Sequence, residues 1–278
     1  MEHLNSEFIR ICKDSSDFEV QRLPKNIDET LSYLSSLPNK TNFKFSDPNY
    51  FKEIFTQDVY KGMKLYWKEI DERIKLLWQT MGLKGFHLLN GIVKCINTRN
   101  YYSASILVRA LLENAAVFHY YLWKIIPTYN DFRSDTILKK KITNREVMGV
   151  IVSRELENLL IKYSHGTKMK DIVKVKKEWE QERISTFMNF LSKNKKYKNA
   201  YKFYSILCEI AHPNFGSILA FYDHGAGTNI YTEVSFSKSQ NVQFFLNTSA
   251  YPINISCEIL KEGINSIRDI SFYKILFG

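Results

Sequence analysis

Tyr204-Ser-Ile-Leu-Cys-Glu-Ile-Ala-His-Pro-Asn-Phe-Gly-Ser217 reads as the end of an apolar helix that stops on Glu209 and His212 and leaves through a Pro-Asn-x-Gly exit. Pro213 disfavours helical geometry at the residue before it, so the helix should end at about His212. The i,i+3 spacing puts Glu209 and His212 on one broad face. An imidazole beside the negative end of a helix dipole suits a proton donor or a phosphate contact better than a neutral metal ligand.

Working outward, Asn199 to Ala211 forms the helix that enters this exit. Upstream, Tyr101 to Ile126 is apolar almost all round and should be the central, buried helix, ending before Pro127. Before it, Met63, Tyr66, Trp67, Ile70, Ile74, Leu77, Trp78 and Met81 recur at helical spacing from Val59 onward. Gly82 and Gly85 should break or kink that helix, and His87 to Thr98 should form the next. Residues 1 to about 50 look loosely helical, with a brief helix from Ile27 to Leu37 between Pro24 and Pro38. Ser46-Asp-Pro-Asn-Tyr50 reads as an N-cap with proline just inside a helix. Helices are also expected over Thr143 to Tyr163 and Thr167 to Ser192.

The pattern changes after the exit. Asn229-Ile-Tyr-Thr-Glu-Val-Ser-Phe236 and Asn241-Val-Gln-Phe-Phe-Leu246 are rich in β-branched and aromatic residues and suggest a β-hairpin. Tyr251 to Phe277 returns to helix. The expected fold class is therefore mainly α, a helical bundle with a β-hairpin appended near the C-terminus. Its divisions are an N-terminal lead over 1–56, a bundle core over 57–222, and a hairpin with a terminal helix over 223–278.

The charge is placed unevenly. The chain carries a net +10, and residues 138–202 hold 17 Lys/Arg against 7 Asp/Glu, which accounts for the whole excess. The functional reading of this basic segment is a surface for RNA or another polyanion; the plainer reading is a solvated face, since lysine outnumbers arginine there. The four cysteines, Cys12, Cys95, Cys208 and Cys257, are widely spaced with no C-x-x-C pair, and Cys95 and Cys208, in apolar helical patterns, read as reduced core thiols, which favours a reducing compartment. Neither a signal-peptide pattern at the start nor an apolar run long enough to span a membrane is present, so a cytoplasmic chain with no membrane partner is expected.

Two ionisable sets stand out in apolar helices, Arg109-Ala-Leu-Leu-Glu113 and Glu209-Ile-Ala-His212. Arg109 and Glu113 should reach partners on neighbouring helices, because an unpaired charge in such a setting costs several kcal/mol, on the order of 3–5. One reading makes Arg109, Glu113, Glu209 and His212 a buried polar network that fixes helix register. The other makes them a binding or catalytic site. Glu-x-x-His is a di-iron ligand pattern, but its architecture needs two copies plus two further glutamates, and one copy stands here. No zinc signature, Walker loop or nucleophile elbow is present. No metal or other cofactor is expected. His224-Gly-Ala-Gly227 reads as a turn, and Cys208 with His212 at i,i+4 is a weaker nucleophile pair.

Arg109-x-x-x-Glu113, followed about a hundred residues later by Tyr204, Leu207, Glu209, His212, Pro213, Asn214 and Gly216, resembles a group of bacterial helical proteins that are themselves similar to the HEPN superfamily. The likeness covers Gly91 to Tyr222. It implies a helical bundle, often paired as a homodimer, in a bacterial defence or toxin-type system, with a partner protein from the same operon. Many members are metal-independent ribonucleases using an arginine four to six residues before a histidine. Here no arginine precedes His212 in that window, so Arg109 would have to substitute from another helix. The implied catalytic roles are His212 as general acid/base, Arg109 against the phosphorane charge and Glu209 orienting the imidazole. Glu113, Asn214 and Tyr204 would contact the ligand, and Lys174, Lys176, Lys177, Lys195 and Lys196 would hold the strand. A non-enzymatic interaction or nucleic-acid-binding module is the alternative, and a sensor of an anionic ligand is the third reading.

Overall fold

Local capping chemistry starts the helices where the sequence supplies Asn, Asp or Ser. Asn5 accepts from Phe8 N at 2.8 Å, Asp17 from Glu19 N at 2.7 Å and Asp47 from Asn49 N at 2.8 Å. Asp47 is followed by Pro48 in the first turn, as the Ser-Asp-Pro-Asn pattern predicts. The computed structural model describes residues 2–38, 40–135, 153–165, 182–212 and 242–278. In chain order its helices are α1 Ser6–Lys13, α2 Phe18–Ser35, α3 Pro48–Gln57, α4 Val59–Asn97, α5 Tyr101–Ser134, α6 Arg154–His165, α7 Ile184–Lys193, a 3₁₀ turn Lys195–Tyr197, α8 Ala200–Ala211, α9 Val242–Ile267 and α10 Phe272–Phe277. The described residues contain no strand.

The appended β-hairpin is therefore corrected. Val242 to Leu246, expected as its second strand, forms the first turns of α9. Phe245, Leu246, Ser249, Ala250 and Ile253 are all buried, and that spacing has the helical period of 3.6. The adjacent pair Phe245-Leu246 breaks a strict alternation, which a five-residue window cannot weigh against the pattern running on to Ile253. The first expected strand, 229–236, lies outside the described residues. The expected helix over Tyr251 to Phe277 is instead two, since α9 ends at Ile267 and α10 restarts at Phe272.

Prolines and glycines interrupt the helices less than their local penalties suggest. Pro24 sits inside α2, where Val20, Leu23, Ile27, Leu31 and Leu34 form one buried stripe. Burial along that stripe outweighs the one ladder hydrogen bond that proline removes. Likewise α4 runs unbroken through Gly82 and Gly85. Gly85 serves packing, because a Cβ there would lie 2.6 Å from Leu260 Cδ1 of α9. α5 continues past Pro127 to Ser134, and it is not buried all round, since the apolar Ile106 and Trp123 are exposed.

The chain divides into two units, one of Met1–Leu37, Met81–His119 and Ile184–Glu262, the other of Pro38–Thr80, Tyr120–Arg183 and Gly263–Gly278. In the first, Phe245 packs on Phe8 and Tyr101, with ring centroids 6.3 and 5.4 Å apart. Buried Asn254 donates to the Glu19 carbonyl at 2.7 Å and accepts from Asn26 at 2.9 Å, which ties α9 to α2. All four cysteines are free, and burial pushes the Cys12 thiol up to about 12 and the Cys257 thiol up to about 11.

In the second unit Trp67 is fully buried, stacked on Phe272 at 5.2 Å and edge-on to Phe132 at 5.1 Å. Asp71 of α4 accepts from Ser271 Oγ at 2.6 Å, Phe272 N at 2.8 Å and Tyr273 N at 3.2 Å, so it caps α10 from another helix. Burial raises the Asp71 carboxyl above its ordinary value against the pull of these donors. Asp71→Ala should cost about 1 kcal/mol, as for loss of an N-cap, measured by urea unfolding. Because the folded value is raised, the folded protein binds this proton at higher pH than the unfolded chain does. The wild-type contribution is therefore largest at acid pH and falls as pH rises through the raised value. That decline should vanish in the variant.

No helix among the described residues is long and apolar enough to cross a membrane.

Candidate functional site

The first unit brings together four side chains that the sequence marks as candidates. Arg109 and Glu113 lie one turn apart on α5, and Arg109 Nε meets Glu113 Oε1 at 3.0 Å. Of the expected partners on neighbouring helices, Arg109 finds one on α8, while it also pairs with Glu113 on its own helix. Their side chains retain 27% and 30% of full exposure, so the pair is mostly, not wholly, desolvated. Across from it, α8 presents Tyr204 and Cys208, again one turn apart. The Arg109 guanidinium lies over the Tyr204 ring, with Cζ 5.7 Å from the centroid. One cation thus bridges α5 to α8, meeting the carboxylate on its own helix and the aromatic ring on the other.

The electrostatics agree with that geometry. Burial works to lower the Arg109 value, but the Cys208 thiol, the Glu113 carboxylate and the Tyr204 phenol together outweigh it and hold the guanidinium above its ordinary value. Burial and the Cys208 side chain push the Tyr204 phenol well above the usual range, opposed by the guanidinium. Arg109 therefore stays charged and Tyr204 stays a neutral phenol across the physiological range.

Glu209 and His212 are placed differently. Glu209 follows Cys208 by one residue, about 100° round the helix, and is exposed. His212 caps α8 with extended geometry at φ −92° and ψ 150°, and its backbone N–H donates to the Cys208 carbonyl at 3.0 Å. Its imidazole is exposed. The helix therefore ends where Pro213 predicts, and the structure groups Arg109 with Glu113 and Tyr204 while leaving the acid and the imidazole on solvent-facing positions.

The second feature is a lysine corner. Lys193 ends α7, Lys195 and Lys196 lie in the 3₁₀ turn, Lys198 follows it, and Lys202 sits in the first turn of α8. Lys196 is held by Glu258 and, at 3.8 Å, by Glu262 of α9. Beside it the Tyr197 hydroxyl donates to Glu258 at 2.7 Å. Lys193, Lys195, Lys198 and Lys202 are exposed, with the part-exposed Tyr201 ring among them. The α8 N-terminus adds the positive end of its dipole. Of the two lysines expected to hold a strand at this corner, Lys195 thus faces solvent and Lys196 fastens the turn. Lys193, Lys198 and Lys202 are visible in the sequence only as members of a lysine run, although the i,i+4 spacing of Lys198 and Lys202 is a usable signal. Asn214, Lys174, Lys176 and Lys177, and the His224-Gly-Ala-Gly227 turn, lie outside the described residues.

No group of three or more metal-ligating side chains converges among the described residues. No protein-family model matches this chain, and no curated protein or solved structure matches it either.

Proposed function

We propose that this chain is a helical module that binds single-stranded RNA without cutting it, a HEPN-like bundle whose Arg109 cluster is a structural clamp. The supporting observation is the engagement of Arg109 itself. Its guanidinium is committed to Glu113 at 3.0 Å and to the Tyr204 face, so the one cation that would have to stand in for the superfamily's motif arginine here joins two helices. The exposed lysines at the α7–α8 corner supply the anion-facing surface, with Tyr201 interleaved. Action alongside a protein partner from a bacterial defence or toxin-type operon, as a homodimer, belongs to the same proposal and rests on the resemblance.

Binding should be electrostatic and steeply salt-dependent. Four lysines neutralising four phosphates of a single strand give a log–log slope of about −3. Titrating a labelled oligoribonucleotide from low to moderate salt measures that slope. A slope near zero, or no binding at low salt, would remove the proposal.

A second reading has one observation in its favour. His212 is exposed at the end of α8, placed so that a phosphate could approach it. In that case the chain is a metal-independent ribonuclease with His212 as its acid/base group.

A further inference from the structure

The second unit carries a strip of rings and ammonium groups that the lysine corner does not include. Tyr60 lies in the first turn of α4, and Tyr273 and Phe277 lie one turn apart on α10. Tyr60 and Phe277 meet edge-to-face at 5.7 Å and 82°, and Tyr273 and Phe277 are 5.4 Å apart at 38°. All three rings are half-buried. Lys64 Nζ sits 4.8 Å from the Tyr60 centroid and 5.8 Å from that of Phe277, while Lys68 Nζ sits 5.0 Å from that of Tyr273. Lys61 and Lys274 flank the strip and are exposed. Asp58, which meets Lys61 at 3.6 Å, offsets one of these four positive charges.

We infer that this strip is a stacking platform for single-stranded nucleic acid, with Tyr273, Phe277 and Tyr60 receiving bases and Lys64 and Lys68 receiving the phosphates between them. The inference rests on the nucleic-acid reading above and names a second contact surface for it. Three considerations carry it. An ammonium over a surface ring, as for exposed Lys68 and half-buried Lys64, is held more weakly than a base stacked on the same ring, so an arriving base displaces the lysine and releases it to a phosphate. Lys64 and Lys68 stand one helical turn apart, about 6 Å along the axis, a step that an unstacked strand can follow. The rings are also pre-organised, because Asp71 fixes the turn carrying Tyr273 through Ser271 Oγ and two backbone N–H groups. An anionic membrane would answer to the same charge. The strip, however, offers half-buried rings packed edge to face, not apolar side chains projecting for insertion.

The test uses the full chain, fluorescence anisotropy and two labelled oligoribonucleotides of equal length and charge, oligo(U) and its abasic counterpart. The base-bearing strand should bind about tenfold more tightly. Tyr273→Leu should remove that advantage without changing abasic binding, and Tyr273→Phe should keep it; thermal melts establish that each variant folds. Equal affinity of the wild type for the two strands would overturn the platform while leaving the lysine corner intact, and this comparison needs no variant. Wild-type affinity in a folded Tyr273→Leu would overturn it as well. So would binding to phosphatidylglycerol vesicles that depends on Tyr273 when strand binding does not. Failure of the wild type to bind any strand would remove the nucleic-acid reading and the platform together.

Discussion

Trp67→Ala is expected to lower the stability of the folded chain by about 3–5 kcal/mol, the usual cost of truncating a fully buried large aromatic. Trp67 has no exposed surface, and its indole is the meeting point of three aromatic neighbours. Phe272 stacks on it at 23°, Phe132 meets it at 62° and Tyr66 stands perpendicular to it at 90°. These neighbours come from α10, from the end of α5 and from α4 itself. Alanine would leave a cavity between side chains whose backbones belong to separate helices, so collapse can recover little of the loss. Urea unfolding should show a lower midpoint with an unchanged slope if the native compactness is kept. A loss below about 1 kcal/mol would mean that this aromatic cluster is not a core.

Arg109→Ala carries the second large effect, a destabilisation of about 2 kcal/mol. An exposed ion pair is worth about 1 kcal/mol at most, and breaking a fully buried one costs about 3–5. This pair sits between those limits at 27% and 30% exposure. The substitution strands Glu113 in a mostly desolvated position and removes the cation from the Tyr204 face. The double variant Arg109→Met with Glu113→Leu should recover most of the loss, because it replaces both charges by apolar groups of similar size. A thermodynamic cycle over the two positions isolates the coupling. If Arg109→Ala leaves stability unchanged, the arginine is not the clamp between α5 and α8.

The elements that periodicity controls are legible in the sequence. Met63 through Met81 forecast α4, and the Ser-Asp-Pro-Asn cap forecasts α3. Pro213 places the end of α8 at His212. Inference from single residues against long stripes fails. Pro24, Gly82, Gly85 and Pro127 all lie within continuous helices, because tertiary burial along the stripe exceeds the local penalty of one residue. The hairpin fails for the related reason that Val242 to Leu246, taken alone, omits the buried Ser249, Ala250 and Ile253 that share its face.

The site is legible in part. That Arg109 and Glu113 matter together follows from their i,i+4 spacing in an apolar helix. That Tyr204 and Cys208 face them depends on the rotation of α8 about its own axis, which no spacing rule supplies. The same rotation carries Glu209 to an exposed position. Lys196, in sequence a strand-holding lysine, is instead held by Glu258 and Glu262, because its partners lie some sixty residues away on α9. The ring strip of Tyr60, Tyr273 and Phe277 depends on the docking of α10 beside the start of α4, a contact distant in sequence.

The most direct measurement is incubation of labelled RNA with the purified chain in EDTA, followed by gel separation of the strand. Binding without cleavage is the predicted result: the strand shifts in a native gel and is recovered whole under denaturing conditions. Cleavage by the wild type, lost in a His212→Ala variant that melts at the wild-type temperature, would contradict the reading of a module that binds RNA without cutting it. It would make the end of α8 an active site.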